Sequence, residues 1–196
     1  MRTSQAPIER SRLAAEADRQ ASQRMRIAIL GNSGSGKSTL ARWLGDRSGA
    51  PLLDLDTVAW EPNKVAVATA EDASVSYVSA FCTSNTSWVL EGCYANLIRA
   101  ALPFMPILVF LDPGEERCIS NCRSRPWEPH KYASKAAQDE RLPFLLTWVR
   151  QYYVRGGEMS HSSHAATYAA YVGPKYLLSR APVLDPPQAE VLAWLN

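Results

Sequence analysis

The chain has 196 residues, which is enough for one α/β domain with a sizeable core and too few for two. Its net charge of +2 excludes the strongly basic character that draws a protein onto nucleic acid, and its apolar fraction of 46% is ordinary for a folded soluble domain. No apolar run approaches the roughly 18 residues of a membrane-spanning helix, so we expect no membrane association.

The four cysteines form no CxxC pair and no zinc-binding spacing, and no secretory leader is visible. We therefore expect reduced thiols in a cytoplasmic protein. Cys118 and Cys122, four residues apart on a predicted helix, are interpreted as small buried hydrophobic residues.

Residues 1–24 are polar and rich in Arg, Gln and Ala, which predicts a flexible or helical extension outside the folded domain. Their acidic residues argue against a transit peptide. The folded domain is expected to span residues 25–196, and Met25, which opens the first apolar strand, is a candidate for its natural start.

From Met25 onward, short apolar segments alternate with helix-like ones. The predicted strands are Arg26–Leu30, Leu52–Leu55, Trp88–Leu90, Ile107–Leu111 and Tyr176–Leu178. The predicted helices are Ser38–Ser48, Glu71–Cys82, Ala95–Leu102, Glu115–Arg123, Gln138–Val154 and Pro187–Leu195. Strands that alternate with helices imply a parallel sheet covered by helices on both faces.

Residues 31–38, GNSGSGKS, match the phosphate-binding pattern GxxxxGK[ST] at every fixed position. The glycines let the backbone turn sharply and aim its N–H groups inward, and the following helix adds its positive end. Lys37 can reach the β- and γ-phosphates, and the Ser38 hydroxyl can ligate Mg²⁺. The sequence thus predicts ATP as the bound nucleotide. Its expected contacts are Gly31, Ser33, Gly34, Ser35, Gly36, Lys37, Ser38 and Thr39.

Two aspartates, Asp54 and Asp56, alternate at the end of the second strand in LLDLDTVAW. One strand would place both on the same side, at the carboxyl edge where open α/β sheets bind ligands. A carboxylate there can hold the water shell of Mg²⁺ or accept a proton from an acceptor hydroxyl. Alternatively, the two aspartates cap the next helix.

Four motifs, GNSGSGKSTLA, LDLDTVAW, WVLEGCY and ILVFLD, resemble the adenylate-kinase-like P-loop proteins of the topology-modulation group, and their layout is similar to that of shikimate kinase. The resemblance implies an α/β P-loop NTPase fold of the nucleotide-kinase type. Its five-stranded parallel sheet, of order 2-3-1-4-5, is flanked by helices, and a mobile lid lies at about residues 123–140. Cys93 stands where the group has Asn. The glycine triplet that follows strand three in shikimate kinases is also missing, and this second difference argues against shikimate as the acceptor.

The resemblance also implies roles for individual residues. Asp54 would hold Mg²⁺ through water, and Asp56 would orient or deprotonate the acceptor. Trp60 would line the acceptor pocket, although a core position is the alternative. Arg99 matches an arginine that such proteins turn towards the acceptor or the transferred phosphoryl group; otherwise it is a solvated helix arginine.

Basic residues are concentrated between Arg117 and Arg141. Phosphoryl transfer spreads negative charge over the equatorial oxygens, so mobile cations that close over the site stabilise that charge and exclude water. RSRPW resembles the Arg-Pro of a shikimate-kinase lid, which implies that Arg125 is the lid arginine. Arg117 lies where such kinases stack an arginine on adenine, and Arg123 is the alternative for either role.

Several other residues have two interpretations. Residues 91–94 leave the third strand facing the same cleft, and Tyr94 either lines that cleft or packs in the core. Asp112 resembles a Walker B aspartate, but the Pro-containing turn after it favours a helix-capping or structural role. His161 and His164 form an i, i+3 pair for which we expect no carboxylate nearby and therefore no zinc site.

Together these features predict an ATP-dependent kinase for a small hydroxyl- or phosphate-bearing molecule, with Lys37, Asp56, Arg99 and Arg125 as catalytic residues. A nucleoside or nucleoside monophosphate kinase is the specific alternative within the enzyme class. A nucleotide-dependent regulatory protein associated with nucleic acid is the alternative from another class, although no basic stripe or recognition helix supports it. The acceptor and the oligomeric state have no readable signature in the sequence.

Overall fold

The computed structural model describes residues 24–61, 67–129 and 132–195. The extension predicted over residues 1–24 lies outside this part of the chain apart from Arg24, and so do His130 and Lys131 of the predicted lid.

A five-stranded parallel sheet forms the centre of the molecule. Its strands, in chain order, are β1 (Arg26–Gly31), β2 (Leu52–Asp54), β3 (Trp88–Gly92), β4 (Ile107–Leu111) and β5 (Lys175–Leu178). They lie in the order β2-β3-β1-β4-β5, and every neighbouring pair is parallel. This arrangement confirms the predicted fold class and places β1, which leads into the P-loop, in the middle of the sheet.

Helices cover the sheet on both faces. Those in the described ranges are α1 (Lys37–Ser48), α2 (Asp56–Ala59), α3 (Glu71–Ser84), α4 (Ala95–Ala101), α5 (Glu115–Arg123), α6 (Lys135–Arg150), α7 (His161–Ala170) and α8 (Ala189–Ala193), with 3₁₀ turns at Leu102–Phe104 and Gln151–Tyr153. Among them, none combines the length and apolar character that crossing a membrane requires.

The sequence does not predict α2 or α7. The first is only four residues long, and the second, HSSHAATYAA, has almost no large apolar side chains to give a helical period. The one local signal for α7 is its N-cap Ser160, whose side chain accepts a hydrogen bond from the Ser163 backbone N–H at 3.2 Å.

Side chains of β1 alternate between two hydrophobic cores, because successive residues of a strand point to opposite faces. Ala28 and Leu30 belong to the core beneath α3 and α4, whereas Ile27 and Ile29 belong to the core beneath α1. All four side chains are fully buried. Burial on both faces explains why this strand is an unbroken apolar run in the sequence.

The strand register brings the carboxyl ends of four strands to one edge. Asp54 of β2 and Ile29 of β1 both lie beside Glu91 of β3, and Gly31 at the start of the P-loop lies beside Leu111 of β4. The P-loop and the carboxylates that follow β2 and β3 therefore share one side of the molecule.

A buried histidine joins α7 to the segment that follows β3. His164 is fully buried, and its Nε2 donates to the Cys93 carbonyl oxygen at 2.9 Å, since a carbonyl can only accept. Its Nδ1 therefore accepts from the Tyr152 hydroxyl at 2.6 Å. Burial lowers the pKa of His164 to about 4, so this imidazole is uncharged at neutral pH.

Because the unfolded chain binds this proton below about pH 6.5 and the folded chain only below about pH 4, we expect stability to fall as pH drops through that window. Between pH 7 and pH 5 the loss from His164 should be about 2 kcal/mol. Urea denaturation at the two pH values measures it. The variant His164→Gln, which cannot titrate, should lose that component, whereas the control His161→Gln should keep it. Equal losses in wild type and His164→Gln would contradict the assignment.

Candidate active site

The P-loop, residues 31–38, lies directly on the backbone of α5. Gly34 has a φ of +78°, a left-handed conformation that side chains rarely adopt. A Cβ at this position would lie 2.3 Å from the Cys118 carbonyl oxygen and 2.8 Å from the Cys122 sulfur. Only glycine permits this approach, and α1 begins immediately afterwards at Lys37.

Two asparagine side chains fix the loop to its surroundings. Asn32 is buried, donates to the Val149 carbonyl oxygen at 3.1 Å and accepts from the Ser33 backbone N–H at 2.8 Å. Asn121 of α5 donates to the Gly34 carbonyl oxygen at 2.8 Å. Sequence reasoning missed both residues, because Asn32 occupies a variable position of the motif and Asn121 belongs to none.

At the base of the loop, a buried ammonium group faces a buried carboxylate. Lys37 is 7% exposed and Glu91 is 3% exposed; the Lys37 Nζ lies 3.8 Å from Glu91 Oε2 and donates to the Asn32 carbonyl oxygen at 3.2 Å. Burial raises the pKa of Glu91, and the Lys37 ammonium opposes that rise. The Ser38 side chain also opposes the rise in the pKa of Glu91. Sequence reasoning placed Glu91 beside the cleft without assigning it a role.

Asp54 and Asp56 both line the cavity beside the P-loop, but they do not reach it from one strand as predicted. Strand β2 ends at Asp54, and Asp56 lies in the first turn of α2, so the alternation of one strand does not place them. Asp54 Oδ1 accepts from the Asp56 backbone N–H at 2.9 Å, which satisfies a donor at the start of α2. The N-cap of α2 is Leu55, with no side-chain capping bond, so the alternative that the two aspartates cap this helix is wrong, although Asp54 supports its first turn from the preceding strand.

The P-loop cavity, defined by these residues, has a volume of about 880 Å³. Its wall is completed by the segment after α5, which contributes Arg125 and Trp127, and by the segment after β5, which contributes Ala181 and Pro182. The predicted site residues that line it are Ser33, Gly34, Gly36, Lys37, Ser38, Thr39, Asp54, Asp56 and Arg125.

The three predicted arginines have different positions. Arg125 lines the cavity, and its guanidinium bonds to Glu128 at 3.1 Å. Within the described part of the chain, neither Arg99 nor Arg117 lines the P-loop cavity. Arg99 instead pairs with Glu158 at 2.8 Å and donates to the Thr167 hydroxyl at 3.2 Å. Catalytic or nucleotide contacts of these two arginines stay predictions.

Asp112 binds side chains from distant parts of the chain and does not cap α5. The N-cap of α5 is Gly114, with no side-chain capping bond, so the helix-capping interpretation is wrong. The Asp112 carboxylate accepts from the Tyr153 hydroxyl at 2.6 Å and lies 3.2 Å from His161 Nε2. The expectation that His161 has no carboxylate nearby is therefore also wrong.

The donor groups suit a nucleotide with Mg²⁺. The left-handed glycines and the start of α1 provide backbone N–H groups for phosphate, and the Ser38 hydroxyl with the Asp54 carboxylate provides the oxygen ligands that Mg²⁺ prefers. Within the described ranges, no group of three or more His, Cys, Asp or Glu side chains is placed to hold a metal without help. Phosphate oxygens would therefore have to complete the coordination shell.

No protein-family model matches the chain, and no curated protein sequence matches it. Among solved structures, it is similar to a gluconokinase from Sinorhizobium meliloti, with 18% identity, coverage of 88% of this chain and 92% of that one, and a TM-score of 0.48. It is also similar to a sugar kinase from Janibacter sp., with 16% identity, 87% and 93% coverage and a TM-score of 0.48.

A shikimate kinase from Bacteroides thetaiotaomicron has 15% identity, 87% and 94% coverage and a TM-score of 0.48. The gluconokinase, sugar kinase and shikimate kinase activities are those of the three similar proteins. The strand order and the P-loop after β1 give this chain the fold of a P-loop NTPase with a five-stranded parallel sheet.

We expect Gly34→Ala to abolish nucleotide binding and to lower the free energy of unfolding by about 2 kcal/mol or more, because the new Cβ meets backbone and forces the loop to move. Calorimetric titration with Mg·ADP and thermal denaturation measure the two effects. Gly49→Ala is the matched control: Gly49 has a φ of +69°, but nothing lies within 4 Å of its added Cβ. That variant should lose only about 1 kcal/mol and bind normally. Normal binding by Gly34→Ala would contradict the packing argument.

Proposed function

We propose that this protein is an ATP-dependent kinase that transfers the γ-phosphoryl group to a small hydroxyl- or phosphate-bearing molecule. The observation that supports it most directly is the meeting of three parts in one cavity: the P-loop lysine, the carboxylate of Asp56 and the guanidinium of Arg125. A phosphate cradle alone would support binding only. A carboxylate and a further cation in the same cavity add the groups that phosphoryl transfer needs.

On this proposal, the P-loop N–H groups and Lys37 bind the β- and γ-phosphates, and Asp56 accepts a hydrogen bond from the acceptor hydroxyl. The acceptor oxygen bonds to the γ-phosphorus as the bond to the bridging oxygen of ADP breaks. The hydroxyl proton passes to the Asp56 carboxylate, and ADP leaves with the electron pair of the broken bond. The products are ADP and the phosphorylated acceptor.

Ser38 and Asp54 are the residues that would hold Mg²⁺ with the nucleotide, Asp54 through water. When bound, Mg²⁺ supplies charge neutralisation on the phosphate oxygens. Glu91 offsets the positive charge of the Lys37 ammonium inside the protein, since the two groups are both buried and 3.8 Å apart.

Arg125 would contact the transferred group only after exchanging its partner. Its guanidinium is paired with Glu128, whose backbone N–H donates to the Gln138 side chain at 2.9 Å. A phosphoryl group carries more negative charge than one carboxylate, so it competes well for a guanidinium. The segment that carries Arg125 also places Pro126, Trp127 and Pro129 on the cavity wall, which would limit the access of water during transfer.

We also propose the cytoplasm as the location. All four cysteines are buried and free, which suits a reducing compartment.

Lys37→Met should lower phosphoryl transfer about 100-fold or more, because it removes the charge that stabilises the transferring group. Asp56→Asn should lower it about 100-fold while leaving the affinity for Mg·ADP close to that of wild type, because Asp56 acts on the acceptor. ADP release across a panel of sugars, sugar acids, nucleosides and nucleoside monophosphates measures both. Arg47→Met, which removes an exposed charge from the far end of α1, is the control. Folded, nucleotide-binding protein that phosphorylates nothing in the panel would contradict the proposal.

Arg125→Ala should lower kcat about 100-fold, because its guanidinium is the cavity cation contributed by the segment after α5. Arg123→Ala is the matched control: it removes the same group two residues earlier, from an exposed position on α5. Steady-state kinetics with a working acceptor compare the two. A larger loss in Arg123→Ala would reverse the assignment of the lid arginine.

A further inference from the structure

Three side chains form a continuous hydrogen-bonded chain that ends on Asp56, the carboxylate proposed to act on the acceptor hydroxyl. The Trp60 indole N–H donates to the Tyr94 hydroxyl oxygen at 2.7 Å, and the Tyr94 hydroxyl donates to Asp56 Oδ1 at 2.8 Å. We propose that Tyr94 is a positioning residue that orients Asp56 towards the acceptor, and that Trp60 fixes the direction of the Tyr94 hydroxyl. This inference rests on the proposed kinase function.

The direction of the chain follows from the chemistry of its members. An indole N–H can only donate and an ionised carboxylate can only accept, whereas a phenol has a single proton to give. With the indole N–H directed at the phenol oxygen, that proton lies on the Asp56 side. Hydrogen bonds in such a chain polarise and strengthen one another. Burial raises the pKa of Tyr94, so the hydroxyl keeps its proton at every pH at which the protein would work.

The backbone holds each member of the chain in place. Tyr94 is 8% exposed and immediately precedes α4. The backbone of Trp60 forms an isolated antiparallel bridge with that of Ala68, which fixes the point from which the indole extends. Glycine at position 92 allows β3 to pass close to the start of α2, because a Cβ there would lie 2.7 Å from the Leu55 Cβ. This approach is what brings Asp56 within reach of Tyr94.

The charged surroundings explain why orientation needs a dedicated donor. Asp56 lines the cavity together with the carboxyl groups of Asp54 and Glu91 and the ammonium of Lys37. Neighbouring carboxylates repel one another and would turn Asp56 away from the cavity. A hydroxyl donor on Oδ1 opposes this movement, since its hydrogen bond holds the carboxylate in one rotamer.

Activity is tested by a double-mutant cycle. Tyr94→Phe should lower kcat about 10- to 100-fold, and Trp60→Phe about threefold to tenfold, with Mg·ADP affinity and folding temperature little changed. In an Asp56→Asn background, Tyr94→Phe should cause almost no further loss, because the group it positions is already disabled. Tyr77→Phe, an exposed tyrosine on α3, is the matched control and should leave kcat unchanged. Additive losses in the double variant would overturn the positioning role.

A second measurement does not depend on activity. The indole N–H resonance of Trp60, identified by its loss in Trp60→Phe, should move in Tyr94→Phe and also in Asp56→Asn, because the chain is continuous. A Trp60 indole N–H resonance whose chemical shift is unchanged in Asp56→Asn would overturn the inference even if the protein is a kinase. If the resonance responds in both variants but no acceptor is phosphorylated, the chain stands and the proposed function fails.

Discussion

The P-loop keeps its shape because its backbone lies directly against the backbone of α5, with no space for a side chain between them. The missing Cβ of Gly34 would lie 2.3 Å from the Cys118 carbonyl oxygen, and Asn121 donates to the Gly34 carbonyl oxygen. Asn32 adds a bond to Val149 at the end of α6. Two helices from the second half of the chain therefore fix where phosphate can bind, so the cradle exists only once the whole sheet and both helices have assembled.

The charges around that cradle lie on two sides that meet at one ion pair. Backbone N–H groups and Lys37 belong to the P-loop side, whereas β2, β3 and the start of α2 present Asp54, Glu91 and Asp56, with the Lys37 Nζ 3.8 Å from Glu91 Oε2. An anionic triphosphate is attracted to the first side and repelled by the second, which gives the proposed reaction a donor end and an acceptor end. Parallel strand register creates this polarity, because it brings residues 37 apart in the chain, Asp54 and Glu91, to neighbouring positions at one edge.

What the sequence could predict depends on how local each signal is. The P-loop, the apolar strands and the order of the sheet follow from contiguous residues and from known resemblance, and the structure has the predicted sheet. The contacts of Asp112 could not be predicted, because its partners Tyr153 and His161 are 41 and 49 residues away. Helix α7 was missed because alanine, serine and histidine give no hydrophobic period. The pairing of Lys37 with Glu91 joins a helix start to a strand end 54 residues further along the chain, which no local signal shows.

Helix α7, which the sequence pattern does not predict, helps to align the site. Adjacent tyrosines of the 3₁₀ turn before it reach opposite partners: Tyr152 donates to His164, which bonds to the segment after β3, and Tyr153 donates to Asp112 at the end of β4. Strands β3 and β4 flank β1, so α7 braces the carboxyl ends on both sides of the P-loop. On the β3 side the brace is uncharged and buried, because burial lowers the pKa of His164 to about 4. This brace therefore holds the segment after β3 through hydrogen bonds alone, without the desolvation cost of a buried charge.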